Sequence, residues 1–249
     1  MRTYESALSR VRAMYRLPAT PDTRRALEVR VSGSAPILDS EWRQGTSVDH
    51  WVFSRAIGEA RGNSGWSAFE ATGLPVDLRV ALEFYDFVLL HQTMDRLSTG
   101  LDARLARLAQ LNLLRTACQV MAPGAVIAGS VTSFFSLSHI KQSLRQLGRA
   151  TAPGPLGHSP RSLRSLLTAA GVTDIEVFTL SPGADSPAML VETNRPASVA
   201  TFQRIVQARR SESTRIGYIA RLLLAQTGRY GYFAGSLVFW GRKGCSRQS

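Results

Sequence analysis

Phe84-Tyr85-Asp86-Phe87-Val88-Leu89-Leu90-His91 is the stretch on which the fold turns. Residues 84–90 form a nearly continuous apolar run, the pattern of a strand with both faces covered. Downstream, Leu101, Leu105, Leu108, Leu114, Ala117 and Met121 make a helical stripe, which Pro123-Gly124 is expected to end. A second buried strand follows at 125–131. Upstream, residues 26–31 read as a strand, 36–44 as a short helix closed by Gly45, and 46–48 as another strand. Residues 51–60 read as a helix and 61–65 as a turn cluster. Further on, Ser159-Pro160 supplies a helix cap and a first-turn proline. Leu163, Leu166, Leu167 and Ala170 line that helix, and Gly171 sits where a terminating glycine belongs. Strands are expected at 175–180 and 188–191, with an irregular hairpin at 182–187 between them. Helices at 198–210 and 214–226 precede a last strand at 236–240. Alternating helices and buried strands predict an α/β, doubly wound, mostly parallel sheet.

The chain has 249 residues, 44% of them hydrophobic, enough for a sizeable core and too apolar for bulk disorder. No run approaches the roughly 18 apolar residues of a membrane span. The opening residues carry no apolar leader core, so a cytoplasmic protein is expected. Cys118 and Cys245 alone make neither a disulfide framework nor a zinc site. Residues 1–125 hold 15 Lys and Arg against 13 Asp and Glu, a net of +2; residues 126–249 hold 15 against 5, a net of +10. That asymmetry fits a solvated basic face, an anionic substrate or nucleic acid. Tyr4, Leu8, Val11 and Tyr15 give the first 21 residues an amphipathic helix, read as a lid or a homodimer contact, which Pro18 and Pro21 stop. The remainder, 22–249, reads as one domain with a helical insertion at about 194–230.

Several local motifs, in order, resemble the class I S-adenosylmethionine-dependent methyltransferases over roughly residues 22–243. Ala26-Leu27-Glu28-Val29 is similar to the family's first strand, and Val48-Asp49 to the end of its second. Residues 71–75 resemble the adenine-cupping segment, and 85–97 the fourth strand and the loop after it. Met121-Ala122-Pro123-Gly124 resembles the turn before the fifth strand, and 237–243 the closing antiparallel strand. The resemblance implies a Rossmann-like sheet of about seven strands. It also implies S-adenosylmethionine as cofactor, with Glu28, Arg30, Ser32, Gly33, Ser34, Asp49, His50, Thr72, Gly73, Leu74 and His91 at its site. The chain departs from the family where chemistry is at stake. Arg30, Ser32 and Ser34 occupy the family's glycine positions, and Thr72 replaces an aspartate. Glycines there let the backbone pass close beneath a ligand.

Methyl transfer needs aligned reactants and, for some acceptors, a base. His91 ends the fourth strand of the resemblance and is the first candidate base or substrate ligand. His139 follows the fifth strand and is the second; Asp95 is placed to orient His91 or to cap the next helix. Arg204, Arg210 and Tyr232 are candidate substrate contacts, and no metal-ligand spacing is present. The resulting expectation is a divergent methyltransferase acting on a small anionic or glycosidic metabolite by O- or N-methylation. A methyltransferase-like scaffold without the cofactor and an RNA-binding or RNA-modifying protein are the alternatives.

Overall fold

The computed structural model describes residues 2–39, 42–53, 84–134, 156–181, 184, 185, 187, 189–193, 197–208, 218, 219, 222, 223, 226 and 235–244. Helix α1 (Arg2–Arg16) leads into strands β1 (Arg25–Val31), β2 (Ser47–Phe53) and β3 (Tyr85–His91). Helices α2 (Thr93–Ser98) and α3 (Ala103–Val120) precede β4 (Met121–Thr132). Helix α4 (Pro160–Ala169), β5 (Val172–Ser181), β6 (Met189–Glu192), α5 (Ala197–Ala208) and β7 (Ser236–Lys243) follow.

The sheet runs β2-β1-β3-β4-β7-β5-β6. Strands β1 to β4 pair in parallel, while β7 lies antiparallel between β4 and β5. The expected Rossmann-like α/β sheet with an antiparallel last strand is therefore what the chain forms. The expected hairpin is present too, pairing β5 with β6.

The apolar run of β3 splits by parity between two cores. Val88 and Leu90 pack with Leu27 and Val29 beneath Leu113, Leu114 and Ala117 of α3 and Leu163, Leu166 and Leu167 of α4. Phe87 and Leu89 face the other way, with Ala26, against Val11, Met14 and Tyr15 of α1 and Ile37, Leu38 and Trp42 of the loop after β1. Burying both faces is what requires apolar residues at consecutive positions. Strand β4 is packed tightly between β3 and β7 at Gly129, where a Cβ would stand 2.7 Å from the Phe239 ring and 2.8 Å from Leu90 O.

Several boundaries differ from the sequence reading, each for a local reason. Residues 36–39 and 42–44 are not helical; the Ile37 and Leu38 amides go to Glu28, and the Trp42 amide closes a local turn onto Asp39 O. Trp51, Val52 and Phe53 continue β2 instead of opening a helix, in keeping with aromatic and β-branched residues on a pleated surface. Residues 54–83, with the expected turn and Thr72, Gly73 and Leu74, lie outside the described residues. Pro123-Gly124 falls inside β4, where the pairing jumps from Tyr85↔Met121 to Phe87↔Val126. Helix α3 has already ended at Val120, with Met121 extended behind it. Asp102 caps the start of α3, its side chain accepting from the amides of Arg104 and Leu105. Helix α4 is capped as expected: Ser159 and Ser162 complete a reciprocal capping box, and Gly171 takes φ +90°.

Candidate functional site at the carboxyl edge of the sheet

In a doubly wound sheet, ligands gather beyond the carboxyl ends of the parallel strands. Here that edge brings together the loop after β1, the end of β3 and the end of β4. The β1–β3 pairing runs to Glu28↔Leu89, two residues before His91 ends β3 and three before Val31 ends β1.

Glu28 is buried, and its carboxylate holds the loop after β1. Oε1 and Oε2 accept from the Ile37 amide at 2.9 and 3.1 Å, and Oε2 from the Leu38 amide at 2.9 Å. His50 Nδ1 stands 3.3 Å from Oε2 on the adjacent strand. Burial raises the Glu28 pKa, partly offset by the two amides, His50 and Arg30. Two amides bonded to one buried carboxylate fix the segment against β1. Helix α1 clamps the same segment: Arg12 Nε donates to Ile37 O and pairs with Asp39, and Arg16 Nε donates to Trp42 O.

The altered glycine loop closes on itself. The Ser34 amide and hydroxyl both donate to Val31 O, with Gly33 between them at φ +83°. Arg30 Nη1 donates to Ser34 O at 2.6 Å, while its Nε is buried with no hydrogen-bond partner. Ser32 is exposed on the turn. Asp49 lies mid-strand in β2 and accepts from the Tyr85 hydroxyl at 3.0 Å, a contact toward the amino half of β3.

At the end of β3, His91 Nδ1 is met by two hydroxyls, Tyr15 of α1 at 2.8 Å and Ser130 of β4 at 3.0 Å. Burial drives the His91 pKa down to about 4, so the ring is neutral at physiological pH. Burial also pushes the Tyr15 phenol well above its ordinary range, which keeps it a donor. Nδ1 has one position for a hydrogen bond, and each hydroxyl can donate to it or accept from it, so the two contacts anchor the ring whichever nitrogen carries the proton.

Asp95 does not meet His91. Its Oδ2 accepts from the Thr132 amide at 2.7 Å and the Thr132 hydroxyl at 2.8 Å, tying α2 to the end of β4. Oδ1 is buried without a partner, and burial raises the Asp95 pKa to about 7. Helix α3 takes its cap from Asp102 instead, so neither role expected of Asp95 is the observed contact.

Gln92, the next residue along, adopts the left-handed conformation at φ 53°, unusual for a residue with a side chain. Its amide donates to Ser130 O and Oγ, and its Nε2 donates to Asp185 Oδ1 at 2.7 Å from the loop between β5 and β6. Tyr15, Ser130, Gln92 and Asp185 were not singled out from sequence. Tyr15 and His91 are 76 residues apart, and only the fold brings them together. Of the remaining candidates, Arg204 is exposed on α5, whereas His139, Arg210 and Tyr232 lie outside the described residues. Among the described residues no group of three His, Cys, Asp or Glu could hold a metal ion, and no helix is long and apolar enough to cross a membrane.

No protein-family model and no curated protein matches this chain. Solved structures similar to it include a S-adenosylmethionine-dependent methyltransferase from Thermotoga maritima, 14% identical, aligning 96% of this chain with 89% of that one at a TM-score of 0.48. Another, from Archaeoglobus fulgidus, is also 14% identical and aligns 97% with 96% at 0.46. Phosphoethanolamine N-methyltransferase 2 of Haemonchus contortus is 13% identical, aligning 95% of this chain with 53% of that one at 0.48. At such identities, and with TM-scores below 0.5, function has to be read from the site itself.

Proposed function

We propose that this protein is a divergent S-adenosylmethionine-dependent methyltransferase acting on a small glycosidic or anionic metabolite. The observation that carries the reading is Arg30, whose buried Nε has no partner near the end of β1, beside the loop that Glu28 holds. A buried donor left bare is costly, about 1–3 kcal/mol, and an anionic ligand group relieves it. The methionyl carboxylate of the cofactor is such a group, so the residues present fit the cofactor despite the missing glycines. Gly33, with no atom within 4 Å of where its Cβ would be, leaves the turn open beside it.

In this reading Arg30 holds the carboxylate and Glu28 fixes the loop through Ile37 and Leu38. Tyr15 and Ser130 orient His91, and α1 shields the edge from water. The cofactor, when bound, supplies a methyl group activated on a sulfonium sulfur; the chain aligns an acceptor with it. Arg204, exposed on α5, supports an anionic group on the acceptor.

One contact favours a second reading, a scaffold that no longer binds the cofactor: Arg30 Nη1 folds back onto Ser34 O and covers the loop. Calorimetric titration of wild type and Arg30→Gly with S-adenosylhomocysteine separates the two. The enzyme reading expects Arg30→Gly to lose about tenfold or more in affinity, the value of a charge-assisted hydrogen bond. A gain in affinity on removing the side chain supports the scaffold reading instead.

A further inference from the structure

We propose that the cavity at the amino end of the sheet, between α3, the turn after α4 and the end of β7, binds a small molecule through a phosphate or carboxylate group. This site lies apart from the carboxyl edge and does not rest on the methyltransferase reading.

Three observations converge on it. First, there is a space to fill. A cavity of about 630 Å³ opens between Arg115, Cys118 and Gln119 of α3, Gly171 after α4, and Lys243 and Gly244. That volume is in the range of small-molecule sites. The pairing of β3 with β4 joins Tyr85 to Met121 at this end and His91 to Ser130 at the other, a separation of roughly 25 Å along the strand.

Second, the charge here has one sign. Arg115 and Lys243 stand on different walls, and no carboxylate lines the cavity among the described residues. Arg115 is exposed and pairs with no carboxylate among the described residues. Lys243 is half-buried and held in place, its Nζ donating to Met121 O at 2.7 Å. Its charge is felt at the buried Cys118 thiol, another group of the lining.

Third, helix-end carbonyls that would repel an anion are spent inside the protein. Helices α3 and α4 both end here, and helix C-termini carry partial negative charge. Val120 O accepts from the Phe84 amide, Met121 O from Lys243, Thr168 O from the Gly171 amide and Gly171 O from the Gly244 amide. What the walls present is therefore a guanidinium and an ammonium, the groups that pair with an oxyanion. Cys118 and Ala170 supply apolar wall for the body that carries it.

The test titrates inorganic phosphate, phenyl phosphate, benzoate and neutral benzyl alcohol into the isotope-labelled full chain at constant ionic strength. The Gly171 and Gly244 amides, which border the cavity, report binding by NMR. Phenyl phosphate or benzoate is expected to shift both saturably and to bind about tenfold more tightly than benzyl alcohol, and whichever leads identifies the group. Arg115→Ala, at an exposed position, should weaken that anion about tenfold. Lys243→Gln, which keeps a donor for Met121 O, should do the same. Arg104→Ala, an exposed arginine at the far end of α3, should change nothing. The proposal is overturned by any of four results: no saturable shift at the two amides, benzyl alcohol binding as tightly as the anions, an affinity unchanged in Arg115→Ala, or an equal loss in Arg104→Ala.

Discussion

The two neighbouring strand ends at the carboxyl edge solve opposite problems. After β1, polar groups are used up inside the protein: the Glu28 carboxylate takes two amides, Asp39 takes Arg12, and Arg30 is half engaged by its own turn. After β3, a titratable ring is held neutral and anchored at Nδ1 by two hydroxyls. The first strand end fixes a loop and the second fixes a ring, and different segments build the two: the loop after β1 for one, β3 and β4 for the other.

The largest effect expected at the β3–β4 side is a pH dependence at Asp95. Its folded pKa, about 7, stands above the unfolded value of 3.8, so the folded state binds the extra proton. Stability from this group is fully present below about pH 4 and is lost as pH rises through about 7, a loss of about 4 kcal/mol. His91 and His158, both lowered to about 4 by burial, act in the opposite direction over pH 4 to 6.5. Urea denaturation of wild type and Asp95→Asn between pH 4 and 8 isolates the carboxylate. The difference between the two should shift in favour of the Asn variant as pH rises; a constant difference contradicts the burial of a titrating group there.

On the β1 side, Glu28→Ala leaves two buried amides unpaired, an expected loss of about 3 kcal/mol. Denaturant midpoints check this directly. A loss under about 1 kcal/mol would mean that α1, through Arg12 and Arg16, holds the loop without the carboxylate. Smaller still is Tyr15→Phe, which removes one donor to His91 and should cost about 1 kcal/mol. In the same variant the tautomer balance of the His91 ring, followed by NMR, should shift. An unchanged balance would mean that Ser130 alone sets it.

How much of this was legible in the sequence follows the same divide. The run from Phe84 to Leu90 announced a doubly covered strand because both parities of the run are apolar, and both parities are buried. Helix α4 was legible from Ser159, Pro160 and Gly171, since caps are local. The segment after β1 was not, because the amides of Ile37 and Leu38 are satisfied by Glu28, nine and ten residues away, and no local pattern encodes that. Trp51 to Phe53 misled for a related reason: helical spacing extended backward across residues that the pairing with β1 claims. His91 was legible as a strand-end histidine, yet its partners Tyr15 and Ser130 come from α1 and β4 and needed the fold. Asp95 was noticed, but its carboxylate goes to Thr132 rather than to the ring.

The central claim is that the edge shaped by Glu28, Arg30 and His91 still takes the cofactor. Calorimetric titration of the full-length chain with S-adenosylmethionine and S-adenosylhomocysteine tests it most directly. The account predicts saturable heat with affinity in the micromolar range for both. No heat and no thermal shift at millimolar ligand would contradict it, leaving the fold in place and Arg30 as a plug rather than a ligand.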